Sequence, residues 1–130
     1  MVKCYRILLV LIGFCFAGPN LWAKETVTFK HEGKPVLTLE AKKSLHLKKI
    51  TSVELMPAKG VDISVISFDA MMPSHDHGMV VKATKPEKLK SGAYLVKGVK
   101  LHMHGPWVLE VKAKLSGKAV TLTTPFDVKM

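Results

Sequence analysis

Behind its first two dozen residues the chain alternates apolar and polar positions with a period of two, the mark of half-buried β-strands. The clearest run is Trp107 to Leu115. There Trp107, Leu109, Val111, Ala113 and Leu115 share one face, and Glu110, Lys112 and Lys114 take the other. Val27 and Phe29 alternate with Thr26, Thr28 and Lys30 in the same way, and Val36–Glu40, Val53–Met56 and Val61–Asp69 are further strand-like runs. Tyr94–Met103 reads as one strand with Gly98 as a bulge, and Ala119–Val128 as the last strand. Turns are expected at Gly33-Lys34-Pro35, at Lys59-Gly60 and at Ser116-Gly117-Lys118, with a polar connection over Pro86–Gly92. The only helix-friendly stretch, Glu40–Leu47, is too short to carry a helix with conviction. About seven short strands separated by turn signals predict an all-β fold, best matched by an immunoglobulin-like antiparallel β-sandwich.

The N-terminus follows a different rule. Lys3 and Arg6 precede an unbroken apolar run, Ile7–Gly18, which Pro19 and Asn20 end before Leu21-Trp22-Ala23. A positive start, an apolar middle and a small-residue exit predict a secretory signal peptide over residues 1–23, with cleavage after Ala17 as the alternative site. The run has twelve residues; as a helix it would reach about 18 Å, short of a ~30 Å bilayer core, which disfavours a membrane anchor. A lipoprotein is disfavoured because bulky Phe14 precedes Cys15. The expectation is an exported protein, periplasmic or extracytoplasmic, with one domain over residues 24–130.

Removing that segment changes the chemistry available. Cys4, Cys15 and the sole arginine, Arg6, leave with it. What remains has no disulfide and no thiolate ligand, although small exported domains often depend on disulfides. Its 18 lysines against 10 acids give a charge of about +8. Export and the missing arginines argue against nucleic acid as a partner. Weak association with an anionic membrane surface is compatible with the charge, but the lysines are scattered along the sequence.

Histidine and methionine are clustered. Met71-Met72-Pro73-Ser74-His75-Asp76-His77-Gly78-Met79 is one group, and Leu101-His102-Met103-His104-Gly105 is the other. Imidazole binds copper, zinc and nickel, and thioether selects Cu(I). Thiols are prone to oxidation outside the cell, so a His/Met set suits copper there. Asp76 is the only carboxylate in either group, too few for Ca²⁺ or Mg²⁺. Zinc held by three or four histidines is the alternative metal. If the strand continues through Met103, His102 and His104 point outward together, about 7 Å apart at Cα, while Met103 turns toward the core. Of adjacent Met71 and Met72 only one can face inward. Met56 is expected in the core, and His31 and His46 on the surface without partners.

The order Met72-Pro73, His75-Asp76-His77-Gly78-Met79, Tyr94-x-Val96-x-Gly98 and Met103-x-Gly105-x-Trp107-x-Leu109-x-Val111 resembles the YtkA-like/FixH-like family of exported or membrane-anchored bacterial domains. The resemblance covers residues 53–129. It implies an immunoglobulin-like sandwich with a copper role near respiratory oxidases or copper-handling systems. The His/Met usage is also similar to that of periplasmic copper chaperones. The chain departs from FixH proper in lacking a long transmembrane anchor and in carrying His104 beside Met103.

Copper binding for delivery or buffering is therefore the leading expectation, Cu(I) before Cu(II). His75, His77, Met79 and His102 are the first ligand candidates, with Met72, Met103 and His104 beside them. The expected partner is a copper-receiving membrane protein or an oxidase-assembly factor. The alternative is a metal-free interaction module serving such a partner. An enzyme is not expected: there is no nucleophile elbow and no phosphate-binding glycine loop, and a zinc hydrolase would have only Asp76 nearby as base.

Overall fold

The computed structural model describes residues 25–130; the expected signal peptide lies outside them. Nine strands run β1 Glu25–His31, β2 Lys34–Ala41, β3 Thr51–Pro57, β4 Ile63–Met72, β5 His77–Gly78, β6 Glu87–Lys88, β7 Tyr94–Val99, β8 Gly105–Leu115 and β9 Lys118–Val128. Seven are long and two, β5 and β6, are two-residue strands. They form two antiparallel sheets, ordered β1-β2-β3-β7-β6 and β5-β4-β8-β9. The sheets pack together around one apolar core, so the all-β sandwich architecture is as the alternation predicts.

The two-residue turns follow from backbone chirality. Glu32-Gly33 joins β1 to β2 and Ser116-Gly117 joins β8 to β9, both residues of each pair having positive φ. That is the twist-matched hairpin turn, and a glycine takes the second position without a Cβ penalty. The first turn therefore sits one residue earlier than the sequence suggests, and Lys34-Pro35 already belongs to β2.

Two bulges decide which side chains face inward. In β7 the pair Lys97-Gly98 stands opposite Ser52 alone, and Gly98 adopts φ +79°. In β4 the register with β8 slips between Val65 and Ser67, leaving Ile66 unpaired and 44% exposed. Val65 lies before the slip and Phe68, Ala70 and Met72 after it, and all four are buried. An uninterrupted alternation from Val65 would have turned Met71 inward. The bulge instead buries Met72 completely and leaves Met71 42% exposed.

Three expectations fail. Met56 is exposed, because Thr51, Val53 and Leu55 take the inward positions of β3. The segment Lys100–His104 is not strand: β7 ends at Val99, and these five residues cross from one sheet to the other, where no ladder partner exists. His46 is not an unpartnered surface residue. It sits in a single 3-10 turn, Leu45–Leu47. Its Nδ1 accepts from the Lys129 N–H at 3.0 Å, and its Nε2 lies 3.2 Å from Glu25 Oε1.

Strand registers bring several chain segments to one end of the sandwich. Glu25 pairs with Ala41, Thr51 with Val99, and Gly105 with Val128. The β2–β3 loop, the 100–104 crossing, the 73–76 turn and the C-terminal end of β9 all gather there.

Candidate metal centre

The first His/Met segment is a tight hairpin. β4 ends at Met72, Pro73–His75 makes one 3-10 turn, and Asp76 reverses the chain at φ 51°, a left-handed conformation that Asp tolerates. β5 then pairs back, Met72 against His77 and Met71 against Gly78. Cross-strand partners share a sheet face, so the inward direction of Met72 is also that of His77. Met71 pairs with Val108 on the other side, which sets Met72 level with Trp107.

Trp107 is wholly buried, and its indole N–H donates to the carbonyl of Met103 at 3.0 Å. That bond holds the 100–104 crossing down on the end of the core. It brings His102 against Trp107, with ring centroids 5.5 Å apart. His77 approaches the same indole at 6.4 Å. The result is a row of three imidazoles from two segments: His75 to His77 is 5.6 Å and His77 to His102 is 5.4 Å between centroids. Two imidazoles sharing an ion, each nitrogen about 2 Å from it, hold their ring centres roughly 5–6 Å apart. Among the described residues, however, no three His, Asp or Glu side chains surround a common ion position.

Hydrogen bonding bears on which nitrogens are free. The carbonyl of Gly78 lies 3.3 Å from His77 Nδ1, a contact that only a protonated Nδ1 can make as a hydrogen bond, which leaves Nε2 as the nitrogen available to a metal. The Nδ1 of His102 is buried without a partner. Burial, then the nearby His77 and Lys100 charges, hold the His102 pKa below the usual imidazole value. A neutral imidazole is the form that binds metal.

The other candidates divide. Met79 and Met103 are half-buried and pack on the core edge. Met72 is core itself, its methyl end 3.1 Å from where a Cβ on Gly105 would stand. His104 is exposed and lies outside the row of rings. The supposed outward pair of His102 and His104 does not form, because the strand alternation behind it stops at Val99. Trp107, read from the alternation only as an inward strand position, is the wall on which His77 and His102 rest. The available signal was its place three residues after His104, as the first inward position of the alternating run.

Beside His77 a shallow groove of about 320 Å³ opens on the outer side of β4 and β8, lined by Asp69, Met71, Asp76 and Glu110. Asp69 and Glu110 are direct cross-strand partners. Like charges so placed repel, which costs stability.

Fold and site together define a β-sandwich with a His/Met-rich end. No family model, curated protein or solved structure matches this chain.

Proposed function

We propose that this is an exported copper-binding protein that delivers or buffers the metal. The observation that carries the reading is the row His75–His77–His102, drawn from two separate segments, in which each neighbouring pair of rings has a spacing that one ion can bridge, with an unpaired nitrogen on His102. Met79 and Met103, one from each His/Met segment, stand half-buried at the core edge. Two imidazoles with one or two thioethers make a Cu(I) set, and three imidazoles alone would favour Cu(II) or zinc. The fully buried Met72 supports the hairpin from below and is a packing residue in this reading.

The fold variant we infer is immunoglobulin-like. With β1 set aside as an added edge strand, β2-β3-β7-β6 and β5-β4-β8-β9 follow the orders A-B-E-D and C′-C-F-G. The motif resemblance to YtkA-like/FixH-like domains agrees with that arrangement, and makes a membrane copper acceptor or an oxidase-assembly factor the natural partner.

The test is a Cu(I) titration of the purified protein against a chromophoric chelator. Trp107 is the sole tryptophan of residues 25–130, so its fluorescence reports on the site directly. Stoichiometric binding with a Trp107 change is expected. Unchanged affinity after replacing His75 and His77 with Ala would sink the ligand assignment. A second reading, a metal-free interaction module, is favoured by the acid-lined groove beside His77, which suits a basic segment of a partner. Absence of any copper or zinc binding would leave that reading standing.

A further inference from the structure

We propose that the end of the sandwich carrying the β2–β3 loop docks on an anionic lipid surface. The loop, Lys42–Ile50, reads Lys-Lys-Ser-Leu-His-Leu-Lys-Lys-Ile. Its conformation is held from inside. Leu45 is buried, and the Glu25 carboxylate accepts from the Ser44 hydroxyl at 2.7 Å and the Leu45 N–H at 2.9 Å. His46 is fixed by Glu25 and Lys129. Lys48 turns the chain with φ 54°. With those positions pinned, Leu47 and Ile50 are left outward, 56% and 57% exposed.

Lysines surround this aliphatic pair. Lys42, Lys43 and Lys97, with Ile50, line a shallow concavity of about 290 Å³. Lys49 is exposed on the same loop, and Lys100 and Lys129 lie on the same end of the sandwich. Glu40 and Glu54 flank Lys42, with Glu54 4.0 Å from its ammonium in a loose, partly exposed pair, and the lysines at this end outnumber them. The fold thus adds Lys97, Lys100 and Lys129, distant in sequence, to the lysines already clustered in the loop.

The occupant follows from the combination. Lysines alone would suit any soluble polyanion. Two aliphatic side chains held out among lysines suit a headgroup layer, where the apolar tips sink in and the ammonium groups meet lipid phosphates. The aliphatic area is two side chains, far less than a specific protein interface needs. This inference does not depend on copper.

The test is vesicle sedimentation of protein produced from the full chain, in the form that export leaves. Vesicles of phosphatidylcholine alone are compared with vesicles containing about 30% phosphatidylglycerol, at low and high salt. Three variants are compared with wild type: Leu47→Ser/Ile50→Ser, Lys42→Glu/Lys43→Glu/Lys49→Glu, and Lys112→Glu/Lys114→Glu/Lys118→Glu. The last changes charge equally, at the β8–β9 hairpin on the opposite end. Salt-sensitive binding to anionic vesicles only is expected, reduced about tenfold by either loop variant and no more than about threefold by the hairpin variant. Equal loss in the two lysine variants would reduce the effect to net charge and overturn the proposal. Loss with the loop lysines but not with Leu47 and Ile50 would reduce the contact to charge alone, with no aliphatic insertion to single out a lipid surface, and overturn the proposal too. All substituted side chains are solvent-facing, and matched unfolding midpoints confirm that the variants fold.

Discussion

His46 and His102 lie at the same end of the sandwich and are both half-buried, yet their surroundings are opposite. His46 uses both ring nitrogens, one accepting from Lys129 and one facing Glu25, and its ring rests 5.2 Å from Phe126. That histidine ties β1, the 3-10 turn and the end of β9 together. His102 has imidazole and indole neighbours but an empty Nδ1. Burial therefore does not separate a structural histidine from a chemical one; the count of satisfied nitrogens does. A buried polar atom without a partner costs about 1–3 kcal/mol. A site that binds a ligand there has a reason to retain that cost.

The contrast should show most strongly in metal binding. Replacing His77 and His102 together with Ala is expected to weaken Cu(I) about a hundredfold or more, ~2.7 kcal/mol, by chelator competition. His46→Ala should leave the affinity within about threefold. A comparable loss from His46→Ala would erase the distinction.

The methionines offer the next largest effect. Met72→Ala should cost about 2–5 kcal/mol of stability by chemical denaturation, because its side chain fills core space beneath Gly105. Met79→Ala should cost much less stability and show instead as about tenfold weaker Cu(I) binding. If the two swap roles, Met72 is a ligand and the hairpin opens to expose it.

Stability should then divide the histidines in the opposite sense from copper. His46→Ala is expected to lower it by about 1–2 kcal/mol, through lost hydrogen bonds at the β1–β9 junction. His102→Gln should be close to neutral above pH 7.

The smallest effect is the pH profile of the metal-free protein. The native His102 pKa is lowered from 6.5, so as pH falls through 6.5 the unfolded chain takes up its proton first. The His102 contribution to stability is therefore lost as pH drops from 6.5 to the lowered native value, and changes no further below it. His102→Gln should flatten that part of the profile in denaturation midpoints taken at successive pH values. An unchanged slope would show that the ring is better solvated than its contacts imply.

Period-two alternation made the strands legible, above all Trp107–Leu115, because each inward position in a half-buried strand must be apolar. The two His/Met segments were visible as local composition, and Gly98 as a bulge. Local pattern could not say that His102 would meet His77 while His104 would not. That depends on the chain leaving β7 at Val99 and crossing between the sheets, where alternation no longer governs side-chain direction. Nor could it choose between Met71 and Met72. The choice rests on one extra residue, Ile66, relative to β8, a property of the pairing of two strands distant in the chain. The partners of His46 come from β1 and from the residue just after β9, 21 residues before it and 83 after. Lys97 and Lys100, distant in order from the four lysines of the β2–β3 loop, join them because β2, β3 and β7 lie side by side. Alternation and composition are local and can be read along the chain; register, bulge position and chain crossing are set by long-range packing, and only the folded chain contains them.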